Sequence, residues 1–186
     1  MTLRTSVWIP AGILFAAATL WINYEVKVNI EGDASSGATR ELGQIKVGKP
    51  APEFATSDLT SHAVKLSAYR GQKVVLIDFW ATWCGPCKMA MPGLQSLLDD
   101  FKDRGLEILS VNEGESPEQA GTFISRKAYG CHVLMDPKSE IGANYGVRGI
   151  PTLVLVDKAG IVQWIRVGYS PDDSDLRRII EKQLGQ

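Results

Sequence analysis

The sequence is poor in cysteine and histidine, with three and two of them among 186 residues. Three cysteines are too few for a scaffold held by several disulfides, and an odd number leaves at least one without an internal partner. Basic residues are spread along the chain at a net charge of −1, which excludes the clustered positive surface of a nucleic-acid-binding protein. Internal repeats and low-complexity blocks are also absent. With 45% hydrophobic and 22% charged residues, the chain is typical of one folded domain with some appended sequence.

Residues 1–24 differ from the rest of the chain, because no charged residue separates Arg4 from Glu25. At about 1.5 Å per residue, an apolar helix over residues 7–22 would cover about 24 Å of a hydrocarbon core that is ~30 Å thick. Arg4 favours an N-terminus in the cytoplasm. The segment is predicted to be a transmembrane anchor. Aromatic residues suited to a membrane interface occur near both of its ends: Trp8, Trp21 and Tyr24.

Two alternatives stay open for this N-terminal segment. It is a cleaved signal peptide if the small residues Ala16–Ala18 mark a cleavage site, and a buried core helix is the third option. The anchor is favoured because the apolar run continues through residues 20–22, past that site. As an anchor or as a signal sequence, the segment implies that the bulk of the chain is exported.

The patterning predicts three segments: the anchor or signal sequence over residues 1–24, a linker over residues 25–44 and a folded domain over residues 45–186. The stretch EGDASSGATRELGQ, residues 31–44, consists of polar and small residues. It lacks the periodicity of a helix or a strand, as expected of a flexible tether. A tether of this kind would let an anchored domain reach partners near the membrane surface.

Strand-like and helical patterns alternate along the folded domain. Val74–Trp80 is a short apolar run typical of a strand covered on both faces, and leucines at helical spacing follow it. Ser116–Gln119 carries the signals of a helix N-terminus: an N-cap serine, a proline and a capping-box glutamine. Predicted strands over residues 152–156 and 161–167 flank a hairpin signal at residues 157–160. This order predicts an α/β domain with a central mixed β-sheet flanked by helices.

Cys84 and Cys87 lie in the sequence CGPC, directly after the predicted strand and at the start of the predicted helix. A helix N-terminus presents free N–H groups and a partial positive charge, so it stabilises the thiolate of Cys84 and makes it the nucleophile. Pro86 suits the first turn of a helix. Cys87 lies one turn into the helix, near enough to resolve a mixed disulfide with Cys84. The favoured interpretation of the pair is therefore a redox centre.

Two other interpretations of the pair are a static disulfide and half of a metal site. A gap of two residues closes a very small loop, so a static bond would stabilise the fold little. A zinc site needs four ligands, and the remaining candidates are not spaced as a second ligand pair: Cys131, His62 and His132. We therefore expect no metal and no cofactor apart from the redox-active Cys84–Cys87 disulfide.

The stretch FWATWCGPCK, followed by Met91–Pro92, resembles the thioredoxin superfamily. Within that superfamily it is similar to the membrane-anchored TlpA/ResA-like thiol–disulfide oxidoreductases. The similarity extends over residues 47–184. It includes PEF at residues 52–54, in the entry region of the domain, and the segments YGV and GIPT at residues 145–147 and 149–152. The resemblance implies a thioredoxin-like fold.

The resemblance also implies roles for the residues around the pair. Pro151 would follow a cis peptide bond and pack beside the cysteines, so that the backbone of Ile150 could pair with an extended substrate. Trp83, next to the nucleophile, would shield the site, although both it and Trp80 also fit a place in the core. The predicted catalytic residues are Cys84, Cys87, Asp78 and Pro151, and the predicted substrate-binding residues are Trp83, Gly85, Pro86 and Ile150.

Asp78 and Ala90 depart from the TlpA/ResA-like pattern. Asp78 matches the buried aspartate of thioredoxins proper, where this branch often has asparagine. Because burial raises the pKa of a carboxyl, Asp78 could accept the proton of Cys87 as that thiol attacks a mixed disulfide. The alternative is an aspartate turned toward water at the end of its strand. Ala90 stands where many members carry a glutamate that is linked to acid–base tuning and substrate choice, so its absence weakens the carry-over of the branch's substrate specificity to this chain.

The resemblance implies an enzyme that reduces disulfides in exported proteins. The Gly-Pro between the cysteines resembles that of thioredoxin, whose reduction potential is about −270 mV, rather than the pair of DsbA, whose potential is about −120 mV. The implied partners are protein disulfide substrates, a membrane thiol-electron donor and the inner membrane. The implied substrates are cysteines of apocytochrome c, in cytochrome c biogenesis, or of copper-site assembly proteins, with cell redox homeostasis as the general role. The expected location is the bacterial cell envelope, with the domain in the periplasm or otherwise outside the cytoplasmic membrane.

A peroxiredoxin-like antioxidant and a thioredoxin-fold copper chaperone are the competing functions. A peroxidatic site needs threonine three residues and proline seven residues before the nucleophile, where this chain has Ala81 and Ile77. Copper chaperones typically use a wider CxxxC pair with a distant histidine, and His132 is a weak candidate for that ligand. Cys131 is interpreted as a buried unpaired thiol, with an interchain disulfide as the alternative.

Overall fold

The apolar run Val74–Trp80 forms a strand whose seven side chains are all buried. The structure, a computed structural model, describes residues 38–39, 41–127 and 129–185. Two short 3-10 helices cover Leu66–Tyr69 and Lys102–Arg104. The α-helices of the described residues are α1 (Gly85–Phe101), α2 (Pro117–Ser125), α3 (Glu140–Tyr145) and α4 (Ser174–Leu184). The strands are β1 (Ala38–Thr39), β2 (Glu41–Leu42), β3 (Ile45–Lys46), β4 (Ala55–Ser57), β5 (Ala63–Lys65), β6 (Val74–Trp80), β7 (Leu106–Glu113), β8 (His132–Asp136), β9 (Thr152–Val156) and β10 (Val162–Val167).

Six strands form one mixed sheet in the order β1-β10-β9-β6-β7-β8. Strands β6, β7 and β8 run parallel, whereas β9 is antiparallel to β6 and β10 is antiparallel to β9. Two small antiparallel pairs, β2–β3 and β4–β5, lie outside this sheet. The predicted α/β domain with a central mixed sheet is therefore confirmed.

Alternate side chains of β6 pack on opposite faces of the sheet, as the pleat of a strand requires. On one face, Ile77 and Phe79 belong to a buried cluster with Tyr145 of α3. On the other face, Leu76 clusters with apolar residues of α1 and α4. Helices thus cover both faces, and each large apolar side chain buried there contributes roughly 1.5–3 kcal/mol of stability. The packing fixes β6, and with it the loop that leads from its C-terminal end to α1.

The local signals around α2 and β9–β10 are confirmed in detail. Ser116 caps α2, since its Oγ accepts the N–H of Gln119 at 3.3 Å and the side chain of Gln119 accepts the N–H of Ser116 at 3.0 Å. In the turn between β9 and β10, Asp157 Oδ1 accepts the N–H groups of Ala159 and Ile161, each at 2.9 Å. Gly160 supplies the positive φ of 84° that closes this turn.

The sheet begins before the predicted domain boundary at Ile45. Residues 38–39, within the predicted linker, pair with β10, where Ala38 faces Arg166 and Thr39 faces Ile165. This pairing rests on backbone hydrogen bonds to the open edge of β10, which need no apolar periodicity. The predicted anchor, residues 1–24, lies outside the described residues. Among the helices in the described part of the chain, none combines the length and apolar character needed to cross a membrane.

Candidate active site

Cys84 and Cys87 form a disulfide at the N-terminus of α1, with their Cα atoms 5.3 Å apart. Cys84 is the N-cap residue of this helix, and its Sγ accepts the N–H of Cys87 at 3.1 Å. Pro86 occupies the first turn, where its missing N–H breaks no hydrogen bond of the helix. In the reduced protein, the same N–H and the positive end of the helix stabilise negative charge on the Cys84 sulfur. The geometry thus favours Cys84 as the nucleophile of the pair.

The residues that flank the pair are at the surface, although both cysteines are buried. Gly85 and Pro86 are exposed, and 70% of Trp83 is accessible. Trp83 therefore does not belong to the core, while Trp80 is buried with its ring 5.6 Å from that of Phe123 in α2. The exposed rim thus adjoins the buried disulfide.

The cis-proline segment lies against the nucleophile, as the resemblance implies. The Ile150–Pro151 peptide bond is cis, and the carbonyl oxygen of Ile150 lies 3.6 Å from Cys84 Sγ. Pro151 is buried, while Ile150 is half-buried beside the same apolar cluster as the two cysteines. The structure therefore brings the backbone of Ile150 to the pair from a segment more than sixty positions later in the chain.

Asp78 is buried in β6, on the face covered by α1, with 2% of its surface exposed. Ser110 Oγ donates to Asp78 Oδ2 at 3.4 Å, and no described residue forms a hydrogen bond with Oδ1. Burial raises the pKa of Asp78 to about 7, and the hydrogen bond from Ser110 opposes that shift. The alternative of an aspartate turned toward water is therefore wrong.

A small cavity of about 10 Å³ lies beside Asp78 and is lined by Trp80, Met91, Ser110 and Cys131. This volume is close to what one water molecule needs. Met91 and Trp80 belong to the same buried cluster as Cys84 and Cys87, so the cavity adjoins the packing around the pair.

Cys131 is a free, partly buried thiol on the wall of the Asp78 cavity. Its pKa is raised to about 12 because burial disfavours the thiolate, and the charge of Asp78 adds to the effect. At neutral pH it is therefore a protonated, weakly reactive thiol. This agrees with the buried-thiol interpretation, and the interchain disulfide stays a prediction.

Glu115 was not predicted from the sequence, but it holds the loop that leads to Cys84. Its carboxylate accepts the backbone N–H of Thr82 at 2.8 Å, the Thr82 hydroxyl at 2.5 Å and the Asn112 amide at 2.8 Å. The side chain is 7% exposed. In the polar stretch after β7 a glutamate is expected at the surface, and no local signal indicates a partner 33 positions earlier.

Ala90, one turn after Cys87 in α1, is buried with 5% exposure. The position where many TlpA/ResA-like chains carry glutamate is thus filled by a methyl group in an apolar setting. An acid–base role at this position is excluded for this chain. Among the site residues predicted from the sequence, Asp78 is the one buried carboxyl.

His132 lies on β8, at the edge of the sheet, where it contacts Asp58 and Tyr69 rather than the cysteines. Its Nε2 lies 3.3 Å from Asp58 Oδ2, and its Nδ1 lies 3.3 Å from the Tyr69 hydroxyl. Within the described residues, no cluster of three or more potential ligands is placed to hold a metal ion. These contacts give His132 a role in joining the β4–β5 pair to β8.

Comparisons with known proteins agree with this geometry. The AhpC/TSA family model matches residues 47–165. The thiol-disulfide oxidoreductase ResA of Geobacillus kaustophilus is 37% identical over 141 residues, which are 76% of this chain and 80% of that protein.

Two solved structures have the same fold. A protein assigned as the thiol:disulfide interchange protein DsbE of Chlorobium tepidum has a TM-score of 0.72 at 36% identity, over 76% of this chain and 99% of that one. The thioredoxin domain of a Bacteroides vulgatus thiol-disulfide oxidoreductase has a TM-score of 0.64 at 27% identity, over 74% of this chain and 97% of that one.

Proposed function

We propose that this chain, which belongs to the AhpC/TSA family and is a thioredoxin-like thiol–disulfide oxidoreductase of the ResA type, reduces disulfides of exported proteins. The observation that carries the proposal is the placement of Cys84. Its sulfur caps α1, accepts the N–H of Cys87 and lies 3.6 Å from the backbone of Ile150. The exposed rim around it admits a folded or extended protein substrate.

The proposed cycle begins with the reduced pair. The Cys84 thiolate attacks one sulfur of the substrate disulfide, forming a mixed disulfide while the other substrate sulfur leaves as a thiolate. Cys87 Sγ then attacks Cys84 Sγ, which releases the second substrate sulfur and forms the Cys84–Cys87 bond. Two electrons pass from the pair to the substrate, whose two sulfurs end as thiols.

Asp78 is proposed to handle the proton of the second step. Cys87 must lose its proton to become a nucleophile, and a carboxylate with a pKa near 7 is suited to accept it at neutral pH. A single water in the Asp78 cavity would donate a hydrogen bond to Oδ1 and would pass the proton from the Cys87 thiol to the Asp78 carboxylate. Trp83, Gly85 and Pro86 would contact the substrate, and the Ile150 backbone would pair with its extended chain.

The cellular setting is proposed from the resemblance and the N-terminal patterning. Residues 1–24 would anchor the protein in the inner membrane of a bacterium, with the domain in the periplasm or otherwise outside the cytoplasmic membrane. The substrates would be cysteines of apocytochrome c or of copper-site assembly proteins. A membrane thiol-electron donor would reduce the pair again, and no resident cofactor would be needed.

Reduction of insulin by the full chain tests the proposed reaction. With a small dithiol as electron source, the protein should accelerate the precipitation of insulin B chains, whereas Cys84→Ser should be inactive. Consumption of hydrogen peroxide without insulin reduction would instead favour a peroxidase. Stoichiometric copper binding without turnover would favour a copper chaperone.

The substrate can be captured with Cys87→Ser, which stops the cycle at the mixed disulfide. Proteins bound to this variant in the native membrane fraction should be released by dithiothreitol and should carry the cysteines of the physiological target. Cys84→Ser treated in the same way is the matched control, because it keeps the fold but lacks the nucleophile.

A further inference from the structure

A groove of about 370 Å³ lies beside the redox pair, between the loop before Cys84 and the end of α2. Thr82 and Lys88 line it on the side of the pair, and Phe123, Arg126 and Lys127 line it on the side of α2. Lys88 directly follows Cys87, and its backbone N–H donates to the Cys84 carbonyl at 3.2 Å. The groove therefore borders the first turn of α1, which carries the redox pair.

Three of the groove-lining side chains are cations without a carboxylate partner. Lys88, Arg126 and Lys127 form no ion pair within the described part of the chain. Other arginines of the described chain are paired, as in Arg70 with Glu53 and Arg177 with Asp100. In a chain whose net charge is −1, the groove is lined by three cations and by no acidic residue of the described chain, which makes it locally positive.

The acidic residues nearest in sequence do not neutralise these cations. The carboxylate of Glu115 is buried and directed at Thr82 and Asn112. Glu118 lies in the first turn of α2 but does not line the groove. The positive charge is thus available to a binding partner.

We propose that this groove binds an acidic segment of the protein substrate, next to the disulfide that is reduced. The inference rests on the proposed function and adds a substrate class to it: disulfides flanked by aspartate or glutamate. Arg126 and Lys127 would attract the carboxylates, while Phe123 at the groove would contact the aliphatic parts of the same side chains. Charge complementarity of this kind acts mainly on the rate of association and is weakened by salt.

Three peptides that differ only in charge test this assignment. Each contains one intramolecular disulfide flanked by three variable residues, which are glutamates, glutamines or lysines. The reduced full chain should reduce the glutamate peptide about tenfold faster than the lysine peptide at low ionic strength. The glutamine peptide should be intermediate, and 0.5 M salt should remove most of the difference.

The double variant Arg126→Gln/Lys127→Gln should lose the preference for the glutamate peptide. The matched control is Lys49→Gln/Lys65→Gln, which removes two exposed cations outside the groove and should keep the preference. Equal rates for the three peptides, or a preference that survives in the groove variant, would overturn the assignment.

An uncharged small disulfide, bis(2-hydroxyethyl) disulfide, separates this inference from the proposed function. The groove variant and the unmodified chain should reduce it at the same rate. If neither reduces it or any peptide, the proposed reduction itself is wrong. If both reduce it while the peptides show no charge preference, only the groove assignment is wrong.

Discussion

Ser110 stands opposite Asp78 in the register of β7 and β6 and donates a 3.4 Å hydrogen bond to Oδ2, while Oδ1 of the aspartate accepts no hydrogen bond from the part of the chain that the structure describes. The carboxyl is therefore only half satisfied in a buried, largely apolar cavity. Such a group resists ionisation, which is the property that a proton acceptor near neutral pH requires. Two measurable consequences follow from this pair of residues.

The first consequence concerns the pH dependence of the reaction. Below a pH of about 7, Asp78 is protonated and cannot accept the proton of Cys87, so the release of the mixed disulfide should accelerate as the pH rises through 7. Asp78→Asn should abolish this rise with pH and should slow the release of the mixed disulfide at pH 8 by about tenfold or more. Stopped-flow measurement of the attack of Cys87 on the mixed disulfide checks this prediction, with Asp103→Asn at an exposed position as the control. An unchanged profile in Asp78→Asn would contradict the role.

The second consequence concerns stability. The pKa of Asp78 is about 7 in the folded protein and near 3.8 when unfolded, so the folded state retains a proton that the unfolded state releases. The contribution of Asp78 to stability is therefore fully present below pH 4 and is lost as the pH rises through 7. The effect of Asp78→Asn on the free energy of unfolding should therefore depend on pH. At pH 8 the effect should be more stabilising than at pH 4, by up to about 4 kcal/mol.

Urea unfolding of the oxidised protein at the two pH values measures this difference. Comparing the variant with the unmodified chain cancels the contribution of Glu113, whose pKa is also raised to about 7 by burial. If the variant and the unmodified chain show the same change between pH 4 and pH 8, Asp78 is ionised in the folded state and the account of its pKa is wrong.

Glu115→Gln tests the carboxylate that holds the loop before Cys84. The substitution keeps the size of the side chain but removes the charge from three hydrogen bonds, of which those to Thr82 fix the loop. Loss of charge assistance should destabilise the protein by about 2 kcal/mol. Insulin reduction should also slow, because the Cys84 loop is less well positioned. Glu118→Gln, an exposed neighbour in α2, should change neither property.

Thiol labelling tests the assignment of the three cysteines. In the reduced native protein, iodoacetamide should modify Cys84 first, since its sulfur is stabilised as a thiolate at the helix N-terminus. Cys131, with a pKa of about 12, should be modified only after unfolding. Mass spectrometry of the digested protein locates the label. Rapid native labelling of Cys131 would show that this thiol is accessible and would favour the interchain disulfide.

Local sequence patterns were sufficient to predict the centre of the site. CGPC after an apolar run fixes both cysteines at the start of a helix, and the resemblance places the cis peptide bond before Pro151. Asp78 could be predicted as buried because every neighbour in its strand is apolar. These features depend on residues close together in the sequence or on a segment that the resemblance covers.

Contacts between distant segments could not be predicted in this way. Glu115 meets Thr82, and Cys131 meets the Asp78 cavity, only because β6, β7 and β8 lie side by side in the sheet. The basic groove likewise forms where the end of α2 faces the start of α1. The strand at Ala38–Thr39 was missed because edge pairing uses the backbone and leaves no mark in the side-chain pattern.

The reduction potential of the Cys84–Cys87 pair tests the central claim, that this protein acts as a reductant. The full chain is equilibrated in dithiothreitol buffers of known potential, and the reduced fraction is read from the mass shift after alkylation. The account predicts a midpoint in the range of thioredoxin, near about −270 mV. A midpoint near about −120 mV, as in DsbA, would show that the pair accepts electrons from its substrates and would contradict the account.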